Sequence, residues 1–411
     1  MSKKQRYQKK DPIEHVLTRS DMYVGSLKEK DSNEYIYLDN KIVEKNIKIS
    51  PALLRIFIEI LSNAIDNATR SLLTKTKCTT IKVNIDKKTG KTTVWNDGDI
   101  IPVQLHETEG VYNHSLIFGQ LLTGSNYDDD EDRVISGRNG LGATCTNILS
   151  TQFIVKGCDP VNKKFFEQTW SNNMKEVNEP IITPMKTKTK GYTEVSYIPD
   201  FKHFGLKGYS NNIVNFYHKY VIDTAMLLSG VKVYFNDVLI DNMTLHKYAS
   251  LYDEFEDYIL IKSSDSNVLV CPSNDDSNRV ISFVNGVYTK LGGCHVDAYS
   301  EAIFRPILDK LSKKNANINI KDIKGYFNLY VISTVSKPEF SSQTKDKLES
   351  PKIEAVIKTA DINKMLKWSC IEDIKNMMQL KDLSKLKKTE KKGKKVLKID
   401  GYDKANLSAS K

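Results

Sequence analysis

The most informative pattern of apolar and polar positions lies at 50–73, SPALLRIFIEILSNAIDNATRSLL. At about 100° per residue, Leu54, Phe57, Leu61, Ala64, Ile65, Ala68 and Leu72 gather on one face, and Glu59, Asn63, Asp66, Asn67 and Arg70 form a stripe opposite. Ser50 suits an N-cap and Pro51 the first helical position, so a helix is predicted from there. Ile56, Ile58 and Ile60 flank the polar stripe and leave little polar surface for bulk water. Two arrangements fit. One is a solvated surface helix; the other packs one side on a sheet and lines a closed pocket with the other, where Glu59 can hold a water as general base and Asn63 can ligate a cation.

Alternation with period two predicts strands at 79–85 and 92–97 around a turn at Lys87–Lys91, and further strands at 152–156, 164–170 and 192–198. A loop around Pro180–Pro184 separates the last two, and GVKVYFNDVLI (230–240) reads as a hairpin. Helices are expected at 13–17, 115–122, from Ala143 onward, and at 216–228. After residue 245 come further strands (NVLVCP, RVISFVNGVYT, YFNLYVIS) and helices (HVDAYSEAIFRPILDKLSK, DINKMLKWSCIEDIKNMMQ). The order implies an α+β chain: a mixed domain, then a smaller α+β domain.

With 411 residues, 40% hydrophobic and 27% charged, the chain reads as a soluble globular class with room for two or three domains. It has no apolar run of about 18 residues, the length that crosses a membrane. The opening MSKKQRYQKKDP is polar and basic, unlike a secretory signal, and six cysteines without C-x-x-C spacing read as reduced intracellular thiols. Nine lysines against Asp382 and Glu390 concentrate +7 of the net +10 between Lys381 and Lys398, a tail that suits either an anionic polymer or a solvated linker.

Three loops carry candidate chemistry. Asn96-Asp97-Gly98 ends a strand, where an Asx side chain can point above the sheet end. In SGRNGLGATCTNILS (136–150), Gly137, Gly140 and Gly142 let backbone N–H groups converge at a helix start, a phosphate cradle in principle, although the spacing is neither a Walker loop nor a dinucleotide fingerprint. Gly124, Ser125 and Asn126 can offer amides and short side chains to an anion, whereas DDDED at 128–132 reads as solvated. In FSSQTKDKL (340–348), Gln343 and Lys345 fall on one side of an extended loop; the lysine is either solvated or reaches a phosphate.

In this order, FIEILSNAIDNA, WNDGDIIPV, FGQLLTGSNYDDDE, SGRNGLGA, SFVNGVYTKLGGCHVD and SSQTKDKL resemble the ATPase region of eukaryotic-type DNA topoisomerase II, within the GHKL group of ATPases. The resemblance covers nearly the whole chain and implies a GHKL (Bergerat-type) α/β sandwich followed by a transducer domain of ribosomal-protein-S5-like α+β fold. The divisions it implies are a dimerisation arm at 1–25, an ATP-binding domain at 26–245, a transducer domain at 246–385 and a basic tail at 386–411.

Carried over residue by residue, Glu59 matches the catalytic base and Asn63 the ligand of Mg²⁺, with Asn67 on the same helix touching nucleotide. Asn96 matches the adenine contact, and Gly124, Ser125 and Asn126 match ribose and phosphate contacts. Arg138, Asn139, Gly140, Leu141, Gly142, Ala143 and Thr144 fall on the loop that wraps the triphosphate. Gln343 and Lys345 match the transducer loop, whose lysine meets the γ-phosphate and reports hydrolysis. Lys313 and Lys314 match a stretch associated with passing DNA, or form an exposed helix end.

The departures from the family pattern are Thr144 for lysine, Gly124 for serine and Ile100 for glycine. The implied cofactors are ATP and Mg²⁺. The implied partners are a second copy closed by ATP, double-stranded DNA and a DNA-cleavage core in the same or another polypeptide, with no membrane. No stretch resembles that core, so a fragment or an isolated subunit is expected, coupling ATP hydrolysis to duplex passage. The alternative is a nucleotide-switched DNA clamp or scaffold with little hydrolysis. A lysine-, isoleucine- and asparagine-rich composition hints at a protist or large virus, hence an intracellular place: the nucleus if cellular, host cytoplasm or virion if viral.

Overall fold

Helix Pro51–Ser71 crosses one face of a nine-stranded sheet, and the rest of the first domain is arranged around it. The computed structural model describes residues 10–72, 74, 76–123, 140–274, 278–311, 319–342 and 344–396, the last stretch without side chains at 382 and 385–396. Ser50 caps the helix by accepting from the Leu53 N–H (3.2 Å), and Pro51 occupies the first turn, where no N–H is needed. The sheet runs in the order Val238–Ile240, Lys232–Phe235, Thr80–Asp86, Lys91–Asn96, Tyr192–Pro199, Ser150–Asp159, Lys164–Ser171, Glu176–Val177. All pairs are antiparallel except Lys232–Phe235 with Thr80–Asp86. Strand Lys91–Asn96 alternates Thr92, Val94 and Asn96 toward the buried side, so its last residue arrives beneath the long helix.

A second helix, Asn211–Leu227, packs alongside: Phe57 stacks on Tyr217 at 3.9 Å, and the Tyr217 hydroxyl donates to the Leu53 carbonyl (2.9 Å). The second domain is built on a five-stranded sheet, Ile259–Lys262, Ser266–Pro272, Phe327–Ser333, Val280–Val284, Val287–Tyr288, with helix Cys294–Leu311 in its apolar core. The domains share an apolar cluster, in which Ile42, Ile222 and Met226 meet Tyr248, Phe283 and Tyr330. Within that joint, Lys219 and Asp223 form a buried ion pair (2.8 Å), and the Tyr248 hydroxyl donates to the other Asp223 oxygen (2.7 Å). A buried pair needs such extra hydrogen bonds to offset desolvation.

Several expectations need correction. Residues 30–49, for which no element was expected, form a hairpin, Lys30–Leu38 with Lys41–Ile49, turning at Asp39-Asn40 with φ of 50° and 62°. The loop at Pro180–Pro184 contains strand Ile181–Pro184, paired to Lys164–Ser171. The stretch DINKMLKWSCIEDIKNMMQ is two helices, Thr359–Met365 and Cys370–Val396, parted by Leu366–Ser369. Leu72, placed on the packing face, is 63% exposed because the helix stops at Ser71. Among the described residues, no helix is long and apolar enough to cross a membrane.

Candidate active site

The long helix has three working faces. Leu53, Ile56, Phe57, Ile60 and Ala64 are buried in the first domain's core. A second face carries Glu59, Asn63, Asp66 and Asn67, and a third, with Leu54, Ile58, Leu61 and Ile65, borders the second domain.

Glu59 is neither solvated nor free. Its side chain is 21% exposed, and its Oε1 lies 2.6 Å from Nη2 of Arg55, one turn back and itself 10% exposed. The Oε2 side is closed by the helix Gly142–Ile148: a Cβ on Gly142 would sit 1.8 Å from Oε2, so only glycine lets that helix start beside the carboxylate. Behind it, burial and the Glu59 charge push the Cys145 thiol up to about 12, so it is a neutral wall.

Asn63, a turn further along, is exposed on the same face. Glu59, Ser62, Asn63 and Asp66 line a cleft of about 20 Å³ with Val287 and Lys345 of the second domain. That volume exceeds the ~10–15 Å³ a single water requires. Lys345 has φ 60°, in the left-handed region, on the loop between the short strands Glu339–Phe340 and Leu348–Ser350. Glu59 and Asn63 of the first domain and Lys345 of the second thus line one small cleft.

Asn67 lies deeper. Its Nδ2 donates to Asn96 Oδ1 (2.7 Å) and to the Asp99 carbonyl (2.9 Å), and both asparagines are buried. Helix and strand end are therefore locked together by one carboxamide pair. A Cβ on Gly98 would come within 3.0 Å of Asn67 Nδ2, which explains a glycine at that turn. Asp97 points away: its Oδ1 accepts from the Thr79 and Thr80 N–H groups (2.7 and 2.8 Å), and Lys190 and the Thr79 hydroxyl bind Oδ2. Burial raises its pKa, but the Lys190 and Thr79 hydrogen bonds outweigh it and hold the carboxyl below the usual range.

Of the glycine-rich stretch, Gly140 has φ 57°, and Leu141, Gly142 and Ala143 lie half-buried at the helix start. Thr144 is 1% exposed and its hydroxyl donates to the Gln120 carbonyl (2.9 Å), so its side chain anchors this helix to the one before it. Ile100 packs against Gly191, where a Cβ would lie 2.4 Å from its Cγ2. Gly124, Ser125, Asn126, Arg138, Asn139, Gln343, Lys313 and Lys314 lie outside the described residues. Sequence reasoning missed Arg55 and Asp97. The first could have been found from its i, i+4 spacing to Glu59, at which an Arg–Glu pair forms on a helix.

Residues 49–157 match the family model described as "Histidine kinase-, DNA gyrase B-, and HSP90-like ATPase", and residues 230–396 the one described as "DNA gyrase B". A "DNA topoisomerase 2" of Invertebrate iridescent virus 6 is 39% identical over 99% of this chain and 38% of that protein. The ATPase region of Saccharomyces cerevisiae topoisomerase II superposes with TM-score 0.83 at 33% identity, covering 92% of this chain and 98% of that one. The ATPase and transducer domains of DNA topoisomerase II from Balamuthia mandrillaris give 0.85 at 31%, covering 93% and 100%. The chain spans 27% to 38% of the length of the first curated relatives it matches. A GHKL ATPase domain followed by a transducer domain accounts for both sheets, and the chain belongs to the family of DNA topoisomerase II ATPase regions.

Proposed function

We propose that the chain binds ATP along the polar face of the long helix with its reacting end at the Glu59 cleft, hydrolyses it with Glu59 as general base, and uses the event to gate a dimer through which duplex DNA is passed by a type II topoisomerase. The observation that carries this reading is the convergence of Glu59, Asn63 and Lys345, drawn from two domains, on one cleft. Glu59 accepts a proton from the attacking water, positioned by Arg55 on one oxygen and by the bare Gly142 on the other. Asn67 and Asn96 form the floor for the base-recognition end, their mutual hydrogen bond fixing the orientation of Asn96. The backbone at Gly140, Leu141, Gly142 and Ala143 supplies N–H groups to the triphosphate, and Lys345 places its ammonium against the γ-phosphate.

The residues also suit Mg²⁺. Among the described residues no three His, Cys, Asp or Glu side chains converge, and Asn63 offers a lone carboxamide oxygen beside the cleft. One protein oxygen completed by phosphate oxygens is how this ion is commonly held, and it would supply neutralisation of phosphate charge when bound. Gly124, Ser125, Asn126, Arg138, Asn139, Thr144 and Gln343 remain proposed nucleotide contacts, and Lys313 and Lys314 proposed DNA contacts, as the resemblance implies. A second copy closed by ATP, the DNA-cleavage core and the arm, ATPase, transducer and tail divisions are proposed on the same ground.

Phosphate release by the purified chain with ATP and Mg²⁺ tests the reading. Glu59→Ala is expected to bind nucleotide and release no phosphate above background, and Lys345→Ala to bind it and hydrolyse about 10²-fold more slowly. Wild-type release from Glu59→Ala would refute it.

A further inference from the structure

The third face of the long helix, with Leu54, Leu61 and Ile65, forms one wall of a cavity of about 220 Å³ between the domains. Tyr220 of helix Asn211–Leu227 and Phe283 and Tyr288 of the second sheet close it from the other side. An apolar cavity of about 150 Å³ accepts benzene, so this one has room for two fused rings. Its charges are matched: Glu34 lies 2.7 Å from Lys290, Asp223 pairs with Lys219 at 2.8 Å and Arg55 with Glu59 at 2.6 Å. Exposed Lys30 and half-exposed Asp346, which also line it, are of opposite sign. A charged guest would therefore lose water without gaining a free counter-charge. The hydroxyls of Tyr220 and Tyr288, in contrast, make no hydrogen bond among the described residues, and both residues line the cavity. Apolar walls with a few unengaged donors are the make-up of a small-molecule site.

We propose that this cavity binds a small, neutral bicyclic aromatic molecule carrying a hydrogen-bond acceptor, separately from nucleotide, and that its occupant restrains the transducer domain. Arg55 and Val287 line both this cavity and the Glu59 cleft, so an occupant fixes residues that position the base and the Lys345 loop. Gly286 already abuts Ile65, a Cβ there falling 3.0 Å from its Cγ2, so a filled cavity leaves the two surfaces little room to slide.

Quinoline and naphthalene, matched in size and differing by one ring nitrogen, test this on the whole chain by ligand-observed NMR with a saturating non-hydrolysable ATP analogue and Mg²⁺. Quinoline is expected to bind about fivefold more tightly than naphthalene, the worth of one hydrogen bond, and to stay bound with the analogue present. Leu54→Trp, which fills the space, is expected to weaken both about tenfold. The Tyr220→Phe/Tyr288→Phe pair keeps the rings and is expected to erase quinoline's advantage, and it carries the test alone should Leu54→Trp not fold. Competition with the analogue, or an unchanged advantage in the double variant, overturns the site. These arms need no hydrolysis, so they stand or fall apart from the ATPase reading. Saturating quinoline should also slow phosphate release with nucleotide still bound, and an unchanged rate overturns the coupling.

Discussion

Glu59 shows how a reactive side chain is set by its neighbours. Arg55 holds one oxygen, and the missing side chain of Gly142 makes room for the other. Gly142→Ala would drive a Cβ into Glu59 from its carboxylate back to Cγ and disturb the pair with Arg55, so we expect a folding cost of about 1–3 kcal/mol and a loss of about 10²-fold in phosphate release, since small misplacements of a reacting group are costly. Urea unfolding and a phosphate-release assay, run side by side, separate the two effects. Arg55→Ala removes the other restraint on the same carboxylate. It strips a charge-assisted bond from a half-buried carboxylate and should cost about 1–3 kcal/mol in a urea midpoint analysis. Glu59 and Asn63 were legible in the sequence because polar residues broke an apolar period. For Arg55 only the i, i+4 spacing to Glu59 was legible; its burial was not, because that depends on the neighbouring elements that cover it.

At the scale of elements, the carboxamide pair Asn67–Asn96 fastens the long helix to the end of strand Lys91–Asn96. Asn67→Ala leaves Asn96 Oδ1 and the Asp99 carbonyl without their best donor, and should lower stability by about 2 kcal/mol in thermal or urea unfolding. Loss of less than a few tenths would show that the joint is held by packing alone. The hairpin Lys30–Leu38 and Lys41–Ile49 had a readable signal that went unused: Asp39-Asn40 between two β-rich runs, a pair that tolerates the left-handed backbone of a tight turn. The break near Trp368 left no comparable mark, since the stretch Leu366-Lys367-Trp368-Ser369 carries neither glycine nor proline and the division follows from Trp368 packing into the second domain's core. Strand Ile181–Pro184 was hidden by its flanking prolines, which an edge strand accommodates.

Across the whole molecule, two buried imidazoles set an acid limit. Burial lowers His114 and His295 from the ordinary 6.5 to about 4, and both are fully enclosed. The unfolded chain takes up these protons first, so the stability they contribute is complete above pH 6.5 and is lost as pH falls toward 4, each by about 1.4 kcal/mol per unit. Urea midpoints at pH 7, 6 and 5 should fall accordingly; a flat series would contradict their burial. The same two-domain assembly brings Lys345 to Glu59, a meeting no local sequence pattern could reveal, because it depends on how the second sheet docks on the first domain. Light scattering should report a dimer on addition of a non-hydrolysable ATP analogue and a monomer in its absence. The most direct test is a structure of the chain with that analogue and Mg²⁺. The account predicts the γ-phosphate between Glu59 and Lys345 with the base end over Asn96; nucleotide bound elsewhere, or Lys345 turned away from it, would contradict the account.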